Sequence, residues 1–195
     1  MMINREYWHD VLRSGAILGL VMALSSIFER YLLLASNLTL GTATMLYLGE
    51  AVVACVVFIW LIVRFTRRRR DTGDPRFGFN YSTALSYILL ISMLAGVIVG
   101  VAGTIFTSAI GYDAYIAGNI TRLEEAKTLY EGLGVGANDL VLFDEMVHRI
   151  RTAPQPTMLQ NVLASFSNYI LFGGIPGLII AGVLSRKPQT PIEEN

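Results

Sequence analysis

Charge is what this sequence has little of. Only 15% of its 195 residues are Asp, Glu, Lys or Arg, against roughly 25% in soluble domains. The deficit falls in blocks. No charged residue occurs from Phe77 to Tyr112 or from Thr152 to Ser185, and Glu50 is the only one between Thr42 and Val63. Apolar runs of about 18 or more residues read as membrane spans. Cysteine is nearly absent too. Cys55 stands alone inside one such run, which excludes a disulfide framework and a thiolate metal site. The sequence holds no Ser-His-Asp set, Walker loop, dinucleotide fingerprint or metal cluster. Gly132, Gly134 and Gly136 follow no strand and read as a turn between helices. No cofactor is expected, and neither an internal repeat nor a low-complexity segment is found.

What is present is apolar: 53% of the residues are hydrophobic and the mean hydropathy is +0.53. The fold class is all-α, a polytopic membrane protein with four transmembrane helices. Residues 1–195 form a single membrane domain with spans at 11–35, 43–65, 82–110 and 158–184. The outer segment 111–157 carries a short extracytoplasmic helical hairpin, and residues 64–80 form a cytoplasmic basic loop. The first span outruns the apolar core of a signal peptide, so it is expected to be retained.

Orientation follows from Arg64, Arg67, Arg68, Arg69 and Arg70. Basic residues beside a span resist translocation and meet anionic headgroups, so this cluster belongs in the cytoplasm. Counting crossings from it puts both termini there as well. Ten basic residues then lie inside (Arg5, Arg13, Arg76, Arg186 and Lys187 with the cluster) and five outside. The cluster is expected to bind anionic lipid or a phosphate-bearing partner, or to act solely as a topogenic signal. No soluble basic domain surrounds it, so nucleic-acid binding is not expected.

Within the spans, Tyr7 and Trp8 suit the headgroup level. Gly15 with Gly19, and Gly96, Gly100 and Gly103 on one face of the third span, allow close helix packing. Residues 36–42 form a short outer turn that makes spans one and two antiparallel neighbours. Gly173-Gly174-Ile175-Pro176-Gly177 predicts a kink in the last span, with Gly173 and Gly177 as packing positions. The tail from Ser185 is short, polar and expected to be disordered.

In the outer segment, Thr121-Arg122-Leu123-Glu124 matches a capping box, predicting a helix from Arg122 to Gly132. A second helix starts after Asn138 or Asp139, with Leu140, Phe143, Val147 and Ile150 on one face, and Pro154 and Pro156 end it. Glu145 and His148 have a spacing seen in carboxylate-bridged metal sites. A single copy reads as an exposed helix face. Asn37-Leu38-Thr39 and Asn119-Ile120-Thr121 match glycosylation sequons, which matter only in a eukaryotic secretory pathway.

Glu50 is the sharpest candidate for chemistry, because an ionisable residue inside a span is costly and often marks function. Counted from the outer turn it lies about as deep as Glu29 and Arg30 on the neighbouring helix. The expectation is an intramembrane ion pair of Arg30 with Glu50 or Glu29, or else residues lining a pathway.

Trp8 ahead of Ser14-Gly15-x-x-x-Gly19, the basic loop closing on Phe77-Gly78-Phe79, the glycine-bearing third span and the helical segment before the last span together resemble a known family. This is a family of small four-span inner-membrane proteins of Bacteroidota, catalogued as domain of unknown function 4199. The resemblance covers nearly the whole chain. It implies this topology and a bacterial inner membrane, points faintly to lipid-linked glycan assembly, and transfers no catalytic residue.

The expected function is a non-enzymatic accessory or scaffold subunit of an inner-membrane complex, in contact with membrane lipids. It would hold an integral-membrane partner, or a second copy, through its glycine faces, outer hairpin or arginine loop. The alternative is a small transporter or lipid flippase with Glu50 and Arg30 lining the pathway. An enzyme acting on a lipid headgroup is a weaker third, for want of a catalytic constellation.

Overall fold

The structure, a computed structural model, describes residues 5–34, 38–73, 78–134 and 137–186. Asn37 of the first sequon, Arg76, Phe77, Gly136, Lys187 and the tail beyond lie outside the described residues. Six helices follow one another: α1 Arg5–Leu34, α2 Leu40–Thr72, α3 Tyr81–Ile110, α4 Tyr112–Gly132, α5 Ala137–Thr152 and α6 Met158–Leu184. Four of them, α1, α2, α3 and α6, are long and apolar enough to cross a membrane. The chain is an all-α polytopic membrane protein.

α3 is the centre of the bundle, with α1 and α6 packed along it. Lipid is as apolar as leucine, so burial alone does not hold helices together in a bilayer. Close backbone approach does. Gly15 and Gly19 bring α1 onto Leu94 and Ile98 of α3, where a Cβ would come to 2.8 and 2.7 Å of those side chains. Gly96 and Gly100 bring α3 onto the backbone of Phe166 and Val162 of α6, at 2.9 and 2.7 Å. Gly173 and Gly177 seat α6 against Ser92 and Ile88. The glycine faces expected to hold a partner are thus occupied within the chain. α6 runs unbroken through Pro176, because the two flanking glycines let the packed helix absorb it.

α2 is attached differently. Phe58, Leu61, Ile62, Phe65 and Thr66 near its basic end are buried, whereas from Thr44 to Val57 only Glu50, Ala54 and Val57 are even half-covered. The short turn does place it beside α1, but α1 spends most of its contact on α3.

The arginine run is helix. Residues 64–72, expected to open a loop, complete α2 as far as the break at Gly73. Arginine is a good helix former, and cations favour the carbonyl end of a helix, so nothing stops the helix earlier. The start of α4 also differs from expectation. Gly111, at φ +95°, turns the chain after α3, and α4 begins at once with Tyr112. Thr121 is therefore mid-helix and bonds back to the Ala117 carbonyl as no cap would. The capping box that does form is Thr157 with Gln160, opening α6. α4 lies across the Leu34 end of α1, with Gly118 over Leu34, and Arg122 Nη1 donates to the Leu38 carbonyl (2.9 Å) and to Glu125 (2.8 Å). Among the described residues α5 packs on α4 alone. Tyr130 meets Phe143, and Lys127 pairs with Asp144.

One end of the bundle gathers the start of α1, the end of α2 and the end of α6. Arg69 sits over the Tyr7 ring at 5.2 Å, and Phe79 and Arg186 exchange backbone hydrogen bonds of 2.9 and 2.6 Å. Ser185 and Arg186, expected in a disordered tail, are thereby fixed.

Candidate functional site

Consecutive residues on a helix point about 100° apart, and at Glu29-Arg30 this turns the two side chains to different neighbours. Arg30 turns towards α3. Its guanidinium lies over Gly103, where a Cβ would come to 2.9 Å of Nη2, so a larger residue there would make the guanidinium shift. Nη1 donates to Thr107 Oγ1 at 3.1 Å, and the Tyr115 ring lies 5.6 Å away. The cavity around it holds about 220 Å³ and is lined by Thr104, Thr107, Ser108, Tyr112, Tyr115 and Asn161 among others.

Glu29 and Glu50 face the other way. Ser25 donates a hydrogen bond to Glu50 Oε1. Tyr47 of α2 lies within hydrogen-bonding reach of Glu29. Glu50 lines a groove of about 450 Å³ between α1 and α2, whose other walls include Val21, Phe28, Met45, Gly49 and Val53. On the far side of α2, Met22, Cys55, Phe58, Tyr169 and Phe172 enclose an apolar cavity of about 230 Å³.

The expected ion pair is not made: among the described residues no carboxylate pairs with Arg30. Neither the depth nor the face is as expected: Glu50 takes the Ser25 hydroxyl, more than a turn along α1 from Arg30. Arg30 and Glu50 line separate cavities.

The arginine run divides by helical period. Arg64, Arg67 and Arg68 share a face with Trp60, Val63 and Asp71 and line a groove of about 570 Å³. Arg64 stacks on Trp60 at 5.0 Å. Arg69 turns inward to Tyr7, and Arg70 pairs with Asp71 at 2.9 Å. Three of the five are thus presented outward together.

The sequence of residues 13–186 matches the family described as "Protein of unknown function (DUF4199)". The chain belongs to this family. No curated protein and no solved structure matches it.

Sequence reasoning missed Thr104, Thr107, Tyr115 and Asn161, although the threonine pair at i, i+3 in an apolar helix was a usable signal. It also missed Tyr87. This buried ring of α3 turns onto α1, with its hydroxyl 3.0 Å from Asp10 Oδ2 and 2.9 Å from Ser14 Oγ. His148 is exposed and Glu145 faces Arg149 at 4.0 Å, and among the described residues no group of three or more His, Cys, Asp or Glu side chains gathers.

Proposed function

We propose that this chain is a non-enzymatic accessory or scaffold subunit of a bacterial inner-membrane complex, linked to lipid-linked glycan or envelope assembly. Its basic end and both termini face the cytoplasm, and it docks an integral-membrane partner along the outer half of α2.

The observation that carries this reading is the setting of Glu50. It is a half-covered carboxylate within a long apolar helix, in a groove whose α2 wall is exposed at Met45, Leu46, Gly49 and Val53. A carboxylate facing hydrocarbon is costly, and a partner helix bringing donors would relieve that cost. Beside it Gly49 faces open space, with no atom within 4 Å of a Cβ placed there. Gly15 and Gly19 of α1, Gly96 and Gly100 of α3 and Gly173 of α6 serve close approach, whereas at Gly49, as at Gly41 and Gly182, no described residue approaches.

The reading is tested by native mass spectrometry of the untagged complex, gently extracted from its own membrane. A stoichiometric second membrane protein is expected, and Gly49→Leu should release it while the chain itself stays folded. A chain that always travels alone would overturn the reading.

A further inference from the structure

The Arg30 chamber lies on the far side of α1 from the α2 groove and does not depend on the docking reading. Its hydrogen bonds run in one direction. Thr104 and Thr107 donate their hydroxyl protons to the Gly100 and Gly103 carbonyls, each at 2.9 Å. They can then only accept, and they accept from Asn161 (3.2 Å) and Arg30 (3.1 Å). Both threonine protons are thus committed to the backbone, and each oxygen keeps a single lone pair beyond the bond it already accepts. Arg30 still has N–H groups to place, since a guanidinium carries five donors and one goes to Thr107. Ser108, Tyr112 and Tyr115 line the same space with further hydroxyls. The first turn of α6 contributes Asn161 and the positive end of a helix dipole.

This excess of donors lies at headgroup depth. Arg30 is four residues from the end of α1, Thr107 three from the end of α3 and Asn161 three from the start of α6, so each is about 5 Å inside the rim. The volume, about 220 Å³, is below the roughly 300 Å³ at which pockets begin to enclose whole small ligands. It suits a headgroup whose acyl chains remain in the bilayer.

We propose that this chamber binds the phosphate of an anionic phospholipid headgroup in the outer leaflet. Arg30 holds the phosphate oxygens, Gly103 makes room for the guanidinium, and Ser108, Tyr115 and Asn161 border the bound group. A planar guanidinium meets two phosphate oxygens at once, which an ammonium does not.

The test uses the full chain with Arg64→Gln, Arg67→Gln and Arg68→Gln, so that lipid held at the basic end does not contribute. Native mass spectrometry then measures retention of added phosphatidylglycerol against phosphatidylcholine. Preferential retention of phosphatidylglycerol is expected. Arg30→Gln should reduce it by about tenfold or more, as loss of a charge-assisted contact would, and Arg30→Lys should restore part. Ser108→Phe fills the chamber from an exposed position and should give the same loss if Arg30→Gln fails to fold. Equal retention of the two lipids, or unchanged retention in both variants, overturns the proposal. Displacement of the lipid by millimolar inorganic phosphate would overturn the lipid as the source and leave a free phosphate in its place.

Discussion

Gly100 of α3 meets α6 so closely that a Cβ on it would come to 2.7 Å of the Val162 Cα. The neighbour is backbone and cannot swing aside. Gly100→Leu is therefore expected to separate the two helices and destabilise the chain by about 3 kcal/mol or more. Thermal unfolding in detergent would show it, with or without any partner. A variant that melts like the wild type would mean that α3 and α6 do not pack this way.

Gly49 should behave oppositely. With no neighbour to strike, Gly49→Ala is expected to leave the isolated chain unchanged or up to about 1 kcal/mol more stable, because alanine is the better helix former. The larger Gly49→Leu should cost nothing in the isolated chain and break the complex. Comparing melting of the purified chain with co-purification of the partner separates the two effects.

Tyr87→Phe removes the hydroxyl that joins Asp10 and Ser14 of α1 to α3. The expected loss is about 1–2 kcal/mol, between the usual value for a bond to a charged group and the smaller values found between membrane helices. Tm in detergent measures it. The double variant Tyr87→Phe/Ser14→Ala should lose little more than Tyr87→Phe alone, because both act on one contact.

Lys127 lies outside the spans, and its pKa is raised above the ordinary 10.5, first of all by its hydrogen bond to Asp144. A raised pKa in the folded state means that the contact stabilises the hairpin fully below pH 10.5 and is lost as pH rises through the folded value. Spin labels on α4 and α5 should report a hairpin closed at neutral pH that opens only in strong alkali. Asp144→Asn should remove that opening step; a step that survived would have another cause.

The orientation is open to chemical labelling. With Cys55→Ala as background, a cysteine at Thr72 should react with a membrane-impermeant thiol reagent only after the cells are opened, and one at Gly132 should react in intact cells. The reverse pattern would turn the topology over and place the Arg30 chamber on the cytoplasmic side.

How much of this was legible beforehand depended on the kind of signal. The last span was read to the residue, and Gly132 correctly ended α4, because polar ends, prolines and glycines are local signals. Arg64 to Arg70 were misread as loop because charge was taken for a helix end. Only the breaker at Gly73 ends the helix, and arginine by itself is a helix former.

By itself the sequence determined that the chain has four apolar helices and where its basic residues cluster, since hydropathy and charge act residue by residue along the chain. Only the tertiary structure decided which faces meet. A shift of one residue turns a side chain about 100° around its helix, so Glu29 and Arg30, adjacent in sequence, turn to different neighbours, Tyr47 of α2 and Thr107 of α3. The same rotation places the glycine stripes inside the bundle and leaves Gly49 exposed and Glu50 half-covered on α2. The apolar stretches could be read along the chain; direction around each helix awaited its neighbours.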